Sequence, residues 1–410
     1  MQFGHNTHLT YCTNIHPGET WEEVLHTLKM FLLPLKSRLS PNEPMGVGLR
    51  LSDQASRTLS DSDNLPLFKQ WLDAHQLYVF TMNGFPYGGF HRQVVKDAVY
   101  APDWRTEERV AYTIRLCHIL AYLLPEGMEG GISTVPISYK PWFKSDNVRK
   151  EAFEKGAMHL TRVVEELTAI GIATGKYIHI DIEPEPDCLL ENTAEMVNFY
   201  VHSLLPIGSG YLMQKLGIKS EKAEDIIRRH IQVCYDVCHF AVEYEKPAYV
   251  FEQFAKAGIK IGKIQISAAL KAMLPLEAGR RKKIARKFES LAESTYLHQV
   301  VARKDDDTFV QYPDLPQALT QINDYSVVEW RTHFHVPVFI SDFQDLQSTQ
   351  EDIVEVLRLN SQQPVTSHLE VETYTWEVLP KEIKVDLLSS IGREMEWVIE
   401  QMESGTIKQE

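Results

Sequence analysis

Short apolar segments alternate with longer amphipathic segments along the whole chain, and this pattern predicts repeated parallel βα units. Eight apolar segments are predicted as strands: residues 8–15, 46–52, 77–82, 130–136, 177–182, 231–235, 261–267 and 368–373. Helical spacing of apolar residues marks 20–37, 65–75, 106–124, 149–170, 191–205, 222–229 and 247–257, and a polar, helix-forming stretch begins at Pro380. Eight strands with helices between them predict a single (β/α)8 TIM barrel over residues 1–410.

About a hundred residues separate the last two predicted strands, which is far longer than an ordinary connection. Within this stretch, residues 268–345 are predicted as an insertion at the top of the barrel. It contains a basic helix (280–293), a hairpin of residues 295–303 and 308–312 around the turn 304–307, and a His-x-His segment within 331–337. The run Arg280-Arg281-Lys282-Lys283 is interpreted as a solvated helix face, with binding of an anionic substrate group as the alternative.

The composition is that of a globular protein with a large core, with 44% hydrophobic and 24% charged residues. A formal net charge of −14 argues against a broad basic face for nucleic acid. No apolar run approaches the roughly 20 residues of a membrane helix, and no signal-peptide pattern is present, so we expect a cytoplasmic protein. The five scattered cysteines fit a reducing compartment.

Ionisable and polar residues follow the C-terminal ends of the later strands, where side chains of such a barrel face the active-site mouth. The candidates are Glu183, Asp236, His239, Gln265, His333, His335 and Glu372. Each residue type alone has an ordinary structural explanation, such as a helix N-cap for an aspartate. Carboxylates, imidazoles and an amide at converging strand ends together predict a site for a divalent ion such as Mn²⁺, Zn²⁺, Mg²⁺ or Fe²⁺.

Alternation within the strands separates neighbouring candidates, because residues two apart point to the same face. In the eighth strand, Glu370 and Glu372 share a face, and Glu372 lies nearer the mouth while Glu370 is expected deeper inside the barrel. In the fifth, His179, Asp181 and Glu183 share a face, with Glu183 nearest the top.

Polar and aromatic residues at other strand ends are candidates for binding the substrate. Asn14, His16, Arg50 and Asn83 end strands one to three and are suited to hydroxyl or anionic groups, or equally to caps and turns. Tyr374 and Trp376 follow the eighth strand and are suited either to stacking on a ring or to packing beneath the loops.

At these positions the sequence resembles the xylose-isomerase-like TIM-barrel superfamily, which includes sugar isomerases and epimerases, inosose dehydratases and nucleases of the endonuclease IV type. Its members place Glu after strand five, Asp-x-x-His after strand six, His on strand seven and Glu after strand eight. The matching residues are Glu183, Asp236, His239 and Glu372. His333-x-His335 resembles the Asp-x-His pair of the endonuclease branch. Gln265 departs from the family's histidine, which disfavours a three-zinc cluster and favours one ion or a weakened site.

Longer phrases resemble the EboE family of metabolite-traffic proteins within this superfamily. They include residues 11–24, 83–91 and 95–104 and the phrases HIDIEPEPDC, CYDVCHF, RTHFHVPVF and VETYTWEVLP. This resemblance implies a sugar- or cyclitol-like metabolite as substrate. It also implies a functional association with a membrane prenyltransferase-like protein of the same pathway.

The superfamily resemblance implies a metal-dependent enzyme of the isomerase or epimerase type, working through an enediolate. Glu183 and Glu372 would serve as acid and base as well as metal ligands. One alternative is a non-catalytic barrel that binds a metabolite, which Gln265 favours. Another is an endonuclease IV-like phosphodiesterase, which the His333-x-His335 pair favours and the acidic charge disfavours.

Overall fold

The computed structural model describes residues 1–3, 6–61, 63–91, 94–292, 295–343, 346–377 and 386–407. Its strands are β1 Gln2–Phe3, β2 Thr7–Tyr11, β3 Met45–Arg50, β4 Leu77–Asn83, β5 Glu129–Thr134, β6 Tyr177–Ile182, β7 Ile231–Asp236, β8 Ile261–Ile266, β9 Ala268–Met273, β10 Val300–Lys304, β11 Phe309–Tyr312, β12 Val327–Val336, β13 Asp342–Phe343, β14 Leu346–Ser348 and β15 His368–Val371. Its helices are α1 Trp21–Leu39, α2 Asp53–Leu59, α3 Asn64–Ala74, α4 Glu107–Leu123, α5 Asp146–Thr174, α6 Thr193–Phe199, α7 Leu205–Leu216, α8 Ser220–His230, α9 Val237–Val242, α10 Pro247–Ala257, α11 Ala278–Glu289, α12 Leu315–Thr320, α13 Gln350–Gln362 and α14 Leu387–Ile407.

Eight strands form a parallel barrel in the order β2-β15-β8-β7-β6-β5-β4-β3, and β1 pairs antiparallel with β2. The ring is completed between β2 and β3, where Cys12 and Gly48 form a parallel bridge. The Thr10 hydroxyl spans the same seam, since it donates to the Gly46 carbonyl at 2.9 Å and accepts from the Gly48 amide at 3.1 Å. The predicted (β/α)8 barrel is confirmed, and each of its eight strands overlaps the predicted segment.

The helices around the barrel begin and end within a few residues of the predicted limits. Helix α1, for example, starts with a capping box in which Thr20 and Glu23 each accept a hydrogen bond from the other's backbone amide. The predicted helix 191–205 is longer in the structure, because a π-helical turn at Tyr200–Leu204 joins α6 to α7. The predicted start at Pro380 lies outside the described residues, and α14 is seen from Leu387 onward. No helix in the described part of the chain has the length and apolarity needed to cross a membrane.

The insertion forms a sheet of its own rather than a single hairpin. Six antiparallel strands pair in the order β11-β10-β12-β9-β14-β13, and β9 starts two residues after β8 ends. The predicted hairpin is present as β10 and β11, and residues 293, 294, 344 and 345 of the predicted insertion lie outside the described residues. Strands β9 and β12 were not predicted as a pair, because their residues lie more than fifty positions apart and no local pattern records such pairing.

Three residues of the basic run 280–283 are exposed, as the interpretation of a solvated face expected, and Arg281 alone departs from it. Arg281 is only 1% exposed. Its guanidinium donates to the backbone carbonyls of Ile322, Asp324 and Val327 at 2.6–2.7 Å. Arg281 therefore secures helix α11 to the start of β12.

The barrel interior carries charge where such barrels usually pack branched apolar side chains. Lys263 and Glu370 form an ion pair at 2.5 Å, and both side chains are fully buried. Glu370 thus lies deep inside the barrel, as the alternation predicted. Gly48 leaves the space for it, because an added Cβ would overlap the Glu370 carboxylate and lie 2.8 Å from the Tyr11 carbonyl oxygen.

We expect Gly48→Ala to lower the free energy of unfolding by about 1–3 kcal/mol, because overpacking displaces a paired carboxylate and a strand. Gly210→Ala in α7 is the matched control, since an added Cβ there meets no atom within 4 Å. That control should instead stabilise the protein by about 0.5–1 kcal/mol, as alanine is the better helix former. Chemical denaturation measures both variants, and equal stabilities would contradict the close packing of Gly48 against Glu370.

Candidate metal centre at the barrel mouth

Three buried carboxylates converge at the C-terminal end of the barrel. Glu183 follows β6, Asp236 ends β7 and Glu372 follows β15, and one oxygen of each lies within 4.8 Å of the others. Burial and the neighbouring carboxylates raise the pKa of Glu183, and burial also raises the pKa of Asp236. One oxygen of Glu183 and one of Asp236 have no hydrogen-bond partner. Such a cluster is electrostatically unfavourable without a compensating cation.

Asp236 serves as a helix cap and still presents an oxygen to the cluster. Its Oδ1 accepts hydrogen bonds from the His239 amide at 3.0 Å, as the N-cap of α9, and from the Ser267 hydroxyl at 2.7 Å. The Ser267 hydroxyl in turn accepts from the Cys238 amide at 2.9 Å. Because both hydrogen bonds to the Asp236 carboxylate end on Oδ1, its Oδ2 remains unpaired and available as a ligand.

Two imidazoles beside the carboxylates are oriented by hydrogen bonds from Nδ1 to backbone carbonyls. His239 Nδ1 lies 3.0 Å from the Pro184 carbonyl oxygen, and His335 Nδ1 lies 3.0 Å from that of Glu372. A carbonyl oxygen only accepts, so Nδ1 carries a proton in each ring and Nε2 is the nitrogen left for a ligand. This is the arrangement that proteins use to orient metal-binding histidines. His335 Nε2 is buried without a partner.

His333 opposes His239 across the site. Its Nδ1 donates to the Gln299 amide oxygen at 2.9 Å, and the amide nitrogen of Gln299 donates to the Pro186 carbonyl at 3.2 Å, which sets the amide's orientation. The Nε2 lone pairs of His333 and His239 therefore face each other at 3.2 Å, an arrangement that calls for a cation between or beside them. Burial lowers the pKa of His239 to about 3 and also lowers that of His333, which disfavours a shared proton. The Tyr374 hydroxyl contacts His333 Nε2 at 3.4 Å.

These side chains form overlapping sets of three whose ligand atoms lie within 4.8 Å of one another. The sets are Glu183/Asp236/Glu372, Asp236/His239/His335, Glu185/His239/His333 and Cys238/His333/His335. Carboxylate and imidazole donors of this kind suit a borderline divalent ion. The donor chemistry, the unpaired buried atoms and the opposed lone pairs all fit such an ion.

Five of the carboxylate and imidazole side chains line a pocket at the barrel mouth: Glu183, Glu185, His239, His333 and Glu372. Asn14 and Asn83 reach into it, and their amides donate to Glu372 Oε1 at 2.6 and 3.1 Å. Tyr296 and Leu297 of the insertion line the pocket. Aromatic and apolar side chains complete its wall: Phe85, Phe90, Val95, Val99 and Tyr100. The pocket thus has an ionisable floor and a largely apolar wall, the usual design of a small-molecule site.

Two predicted substrate ligands lie outside the residues that line this pocket. His16 is buried against Phe31, with ring centroids 4.2 Å apart, and its Nε2 is hydrogen bonded to the Tyr11 hydroxyl at 2.9 Å. Arg50 is paired with Glu19 at 3.0 Å and donates to two backbone carbonyls. Both residues therefore secure the loops after β2 and β3 rather than reaching the pocket.

Two further candidates are also directed elsewhere. The Gln265 amide oxygen accepts from the Cys234 thiol at 3.2 Å inside the barrel, and Gln265 is not among the pocket-lining residues. Trp376 is buried and donates through Nε1 to Glu394 of α14 at 3.1 Å, so it packs beneath the loop. Tyr374, by contrast, does line the pocket.

Glu185 is a pocket residue that was not selected from the sequence. Its carboxylate accepts from the Tyr100 hydroxyl at 2.8 Å and lies 3.5 Å from His333 Nδ1. Burial raises the pKa of Glu185 to about 8. The sequence could have predicted Glu185 as a pocket residue from the segment Glu183-Pro184-Glu185, since side chains two positions apart in an extended chain point in the same direction. Tyr100 could not have been found, because it comes from a loop distant in sequence.

No family model and no curated protein matches the sequence. Among solved structures, a D-tagatose 3-epimerase-like protein is 11% identical with a TM-score of 0.53, over 98% of this chain and 100% of that one. An IOLI protein with a binding zinc atom is 11% identical with a TM-score of 0.47, over 97% of this chain and 99% of that one. A xylose isomerase-like TIM barrel protein from Mycobacterium smegmatis in complex with magnesium is 9% identical with a TM-score of 0.48, over 98% of this chain and 97% of that one. The chain has the xylose isomerase-like TIM-barrel fold.

In metal-free buffer with EDTA at neutral pH, we expect Glu183→Gln to stabilise the protein. The substitution removes one of three adjacent carboxylates whose ionised form is disfavoured in the folded protein. Each unit by which folding raises the pKa of Glu183 corresponds to about 1.4 kcal/mol of free energy of unfolding that the substitution restores. Glu400→Gln, at an exposed position of α14, should leave the stability unchanged. Chemical denaturation makes the measurement, and a less stable Glu183→Gln would show that the carboxylates do not repel one another.

Proposed function

We propose that this protein is a divalent-metal-dependent enzyme that moves a proton on a small, polyhydroxylated carbonyl metabolite, as sugar isomerases and epimerases do. The observation that carries the proposal is the convergence of three buried carboxylates and three oriented imidazoles at the barrel mouth. Four of these six side chains also line one pocket: Glu183, His239, His333 and Glu372. The fold shared with a D-tagatose 3-epimerase-like protein supports the same reaction class.

The ion would be held by Glu183, Asp236, His335 and Glu372, with His239 adjacent. Asp236 and His335 each offer a buried, unpaired atom, and neither needs to break a hydrogen bond to bind. A divalent ion bound there would polarise a carbonyl oxygen of the substrate. The identity of the ion is open among Mn²⁺, Zn²⁺, Mg²⁺ and Fe²⁺, because carboxylate oxygens and imidazole nitrogens suit all of them.

Glu183 and Glu372 would carry the proton. They follow β6 and β15, which are separated in the barrel by β7 and β8, so they approach a substrate from different sides. Asn14 and Asn83 both donate to Glu372 Oε1, which positions that carboxylate and leaves its other oxygen for the substrate or the ion. Two carboxylates on different sides of a carbon are what proton removal and return require.

The walls of the pocket would exclude water and select the substrate. Phe90, Tyr296 and Tyr374 form an aromatic group with ring centroids 5.1–5.3 Å apart. Such rings can stack on the apolar face of a sugar or cyclitol. The resemblance to the EboE family adds a role in making or moving a metabolite, with a membrane prenyltransferase-like protein as functional partner, and this part rests on that resemblance alone.

An endonuclease IV-like phosphodiesterase is the second candidate, favoured by the overlapping ligand sets. The net charge of −14 and the apolar pocket wall disfavour a nucleic-acid substrate. Nicking of abasic-site DNA by the metal-loaded protein would establish this candidate in place of the isomerase.

We expect the wild-type protein with Mn²⁺ or Zn²⁺ to exchange a carbon-bound proton of a ketose or inosose for deuterium in D₂O, as seen by NMR. Glu372→Gln should lower the exchange rate by about 10²–10⁴-fold, the usual contribution of an acid–base group. Glu400→Gln, distant from the pocket, is the matched control and should exchange at the wild-type rate. EDTA should abolish exchange in the wild type and in this control. Binding of such compounds without exchange would establish the non-catalytic barrel instead.

A further inference from the structure

A second group of ligating side chains lies in the barrel at the end opposite the mouth pocket. Glu129 begins β5, His179 lies in the first half of β6 and His368 begins β15. Their ligand atoms lie within 4.8 Å of one another. None of the three lines the mouth pocket, so this group is separate from the centre described above.

His368 is fully buried, and neither of its ring nitrogens makes a hydrogen bond. Its described contacts are ring contacts, with centroids 5.0 Å from Phe80 and 5.4 Å from His179. The backbone carbonyl of Glu129 lies near the ring and favours its protonated form, but the contact does not meet the geometry of a hydrogen bond. Burial lowers the pKa of His368, so the ring is neutral and retains a lone pair. A buried imidazole with no partner is rare enough to need an explanation.

The other two members are already oriented as ligands. His179 Nδ1 is hydrogen bonded to Asp181 Oδ1 at 2.6 Å, which leaves Nε2 as the free nitrogen. A carboxylate holding the far nitrogen of a histidine is the usual support of a metal-binding imidazole. Glu129 Oε1 accepts from the Ser367 hydroxyl at 2.7 Å, which positions the carboxylate and leaves its second oxygen for a ligand.

Two glycines provide the space in which these rings meet. A Cβ on Gly131 would lie 2.7 Å from His179 Cε1 and 3.1 Å from His368 Nδ1, and one on Gly262 would lie 2.7 Å from His179 Nδ1. A cleft at this end of the barrel includes Glu129 in its lining, whereas His179 and His368 are buried behind it. The group is therefore closely packed, and Glu129 is its member nearest to solvent.

We propose that Glu129, His179 and His368 bind a divalent transition-metal ion of the Zn²⁺ type at the base of the barrel. One carboxylate oxygen and two imidazole nitrogens, with water in the fourth position, form a ligand set typical of zinc. Strands β15 and β5 are separated in the ring by β8, β7 and β6, so the ion links distant parts of the barrel wall. Its binding energy adds to the stability of the folded chain.

The test uses the full chain with the mouth centre disabled by Asp236→Asn and His333→Ala together, because each of the four ligand sets at the mouth contains Asp236 or His333. After removal of metal, this protein is titrated with Zn²⁺ against a competing chelator, and with Co²⁺ followed by its visible absorption. We expect one equivalent of Zn²⁺ to bind and tetrahedral Co²⁺ absorption to develop. Adding Glu129→Gln should weaken Zn²⁺ binding at least about 100-fold.

Glu126→Gln is the matched control, because Glu126 lines the same cleft but is exposed and paired with Lys176 at 2.6 Å. It should leave the affinity unchanged. His368→Phe replaces the buried ligand with a ring of similar shape and should also weaken Zn²⁺ binding. If that variant does not fold, the comparison of Glu129→Gln with Glu126→Gln decides the test. Absence of Zn²⁺ binding in the mouth-disabled protein, or equal affinity after Glu129→Gln, would overturn the proposal. Because the mouth centre is disabled throughout, the result is independent of the proposed enzymatic function.

Discussion

The ion pair between Lys263 and Glu370 is the interaction on which the interior of this barrel depends. Both side chains are fully buried, and each would be an uncompensated charge without the other, a state that costs about 3–5 kcal/mol when a partner is lost. Glu370 lies between His368 below and Glu372 above on the same face of β15. The pair therefore lies between the carboxylates of the mouth and the imidazoles of the base, and the Lys263 ammonium favours the ionised form of Glu183.

The polar interior is organised by strand alternation and by glycines. Inward positions of β6 carry His179, Asp181 and then Glu183, so a single strand contributes to both ends of the barrel. Glycine residues face these side chains, because larger residues would overlap them. A barrel with this many interior charges gives up apolar packing and is stabilised by ion pairing and hydrogen bonds.

The inserted sheet completes the mouth rather than decorating it. Strand β12 carries His333 and His335 into the centre, and the segment before β10 brings Tyr296 and Leu297 over the pocket. The buried Arg281 secures this sheet to helix α11. The insertion therefore supplies two imidazoles of the centre, the Gln299 side chain that orients His333, and part of the pocket wall.

The sequence by itself determined the eight barrel strands and most helices, because their apolar periodicity is local and repeats in βα units. It also determined that Glu183, Asp236 and Glu372 face the mouth, since alternation and strand ends dictate direction. Only the tertiary structure decided which candidates meet. His16, Arg50, Gln265 and Trp376 have partners elsewhere, while Glu185 joins the pocket and Glu129, His179 and His368 meet at the base. Those outcomes depend on contacts between residues far apart in the chain, and no local pattern encodes them.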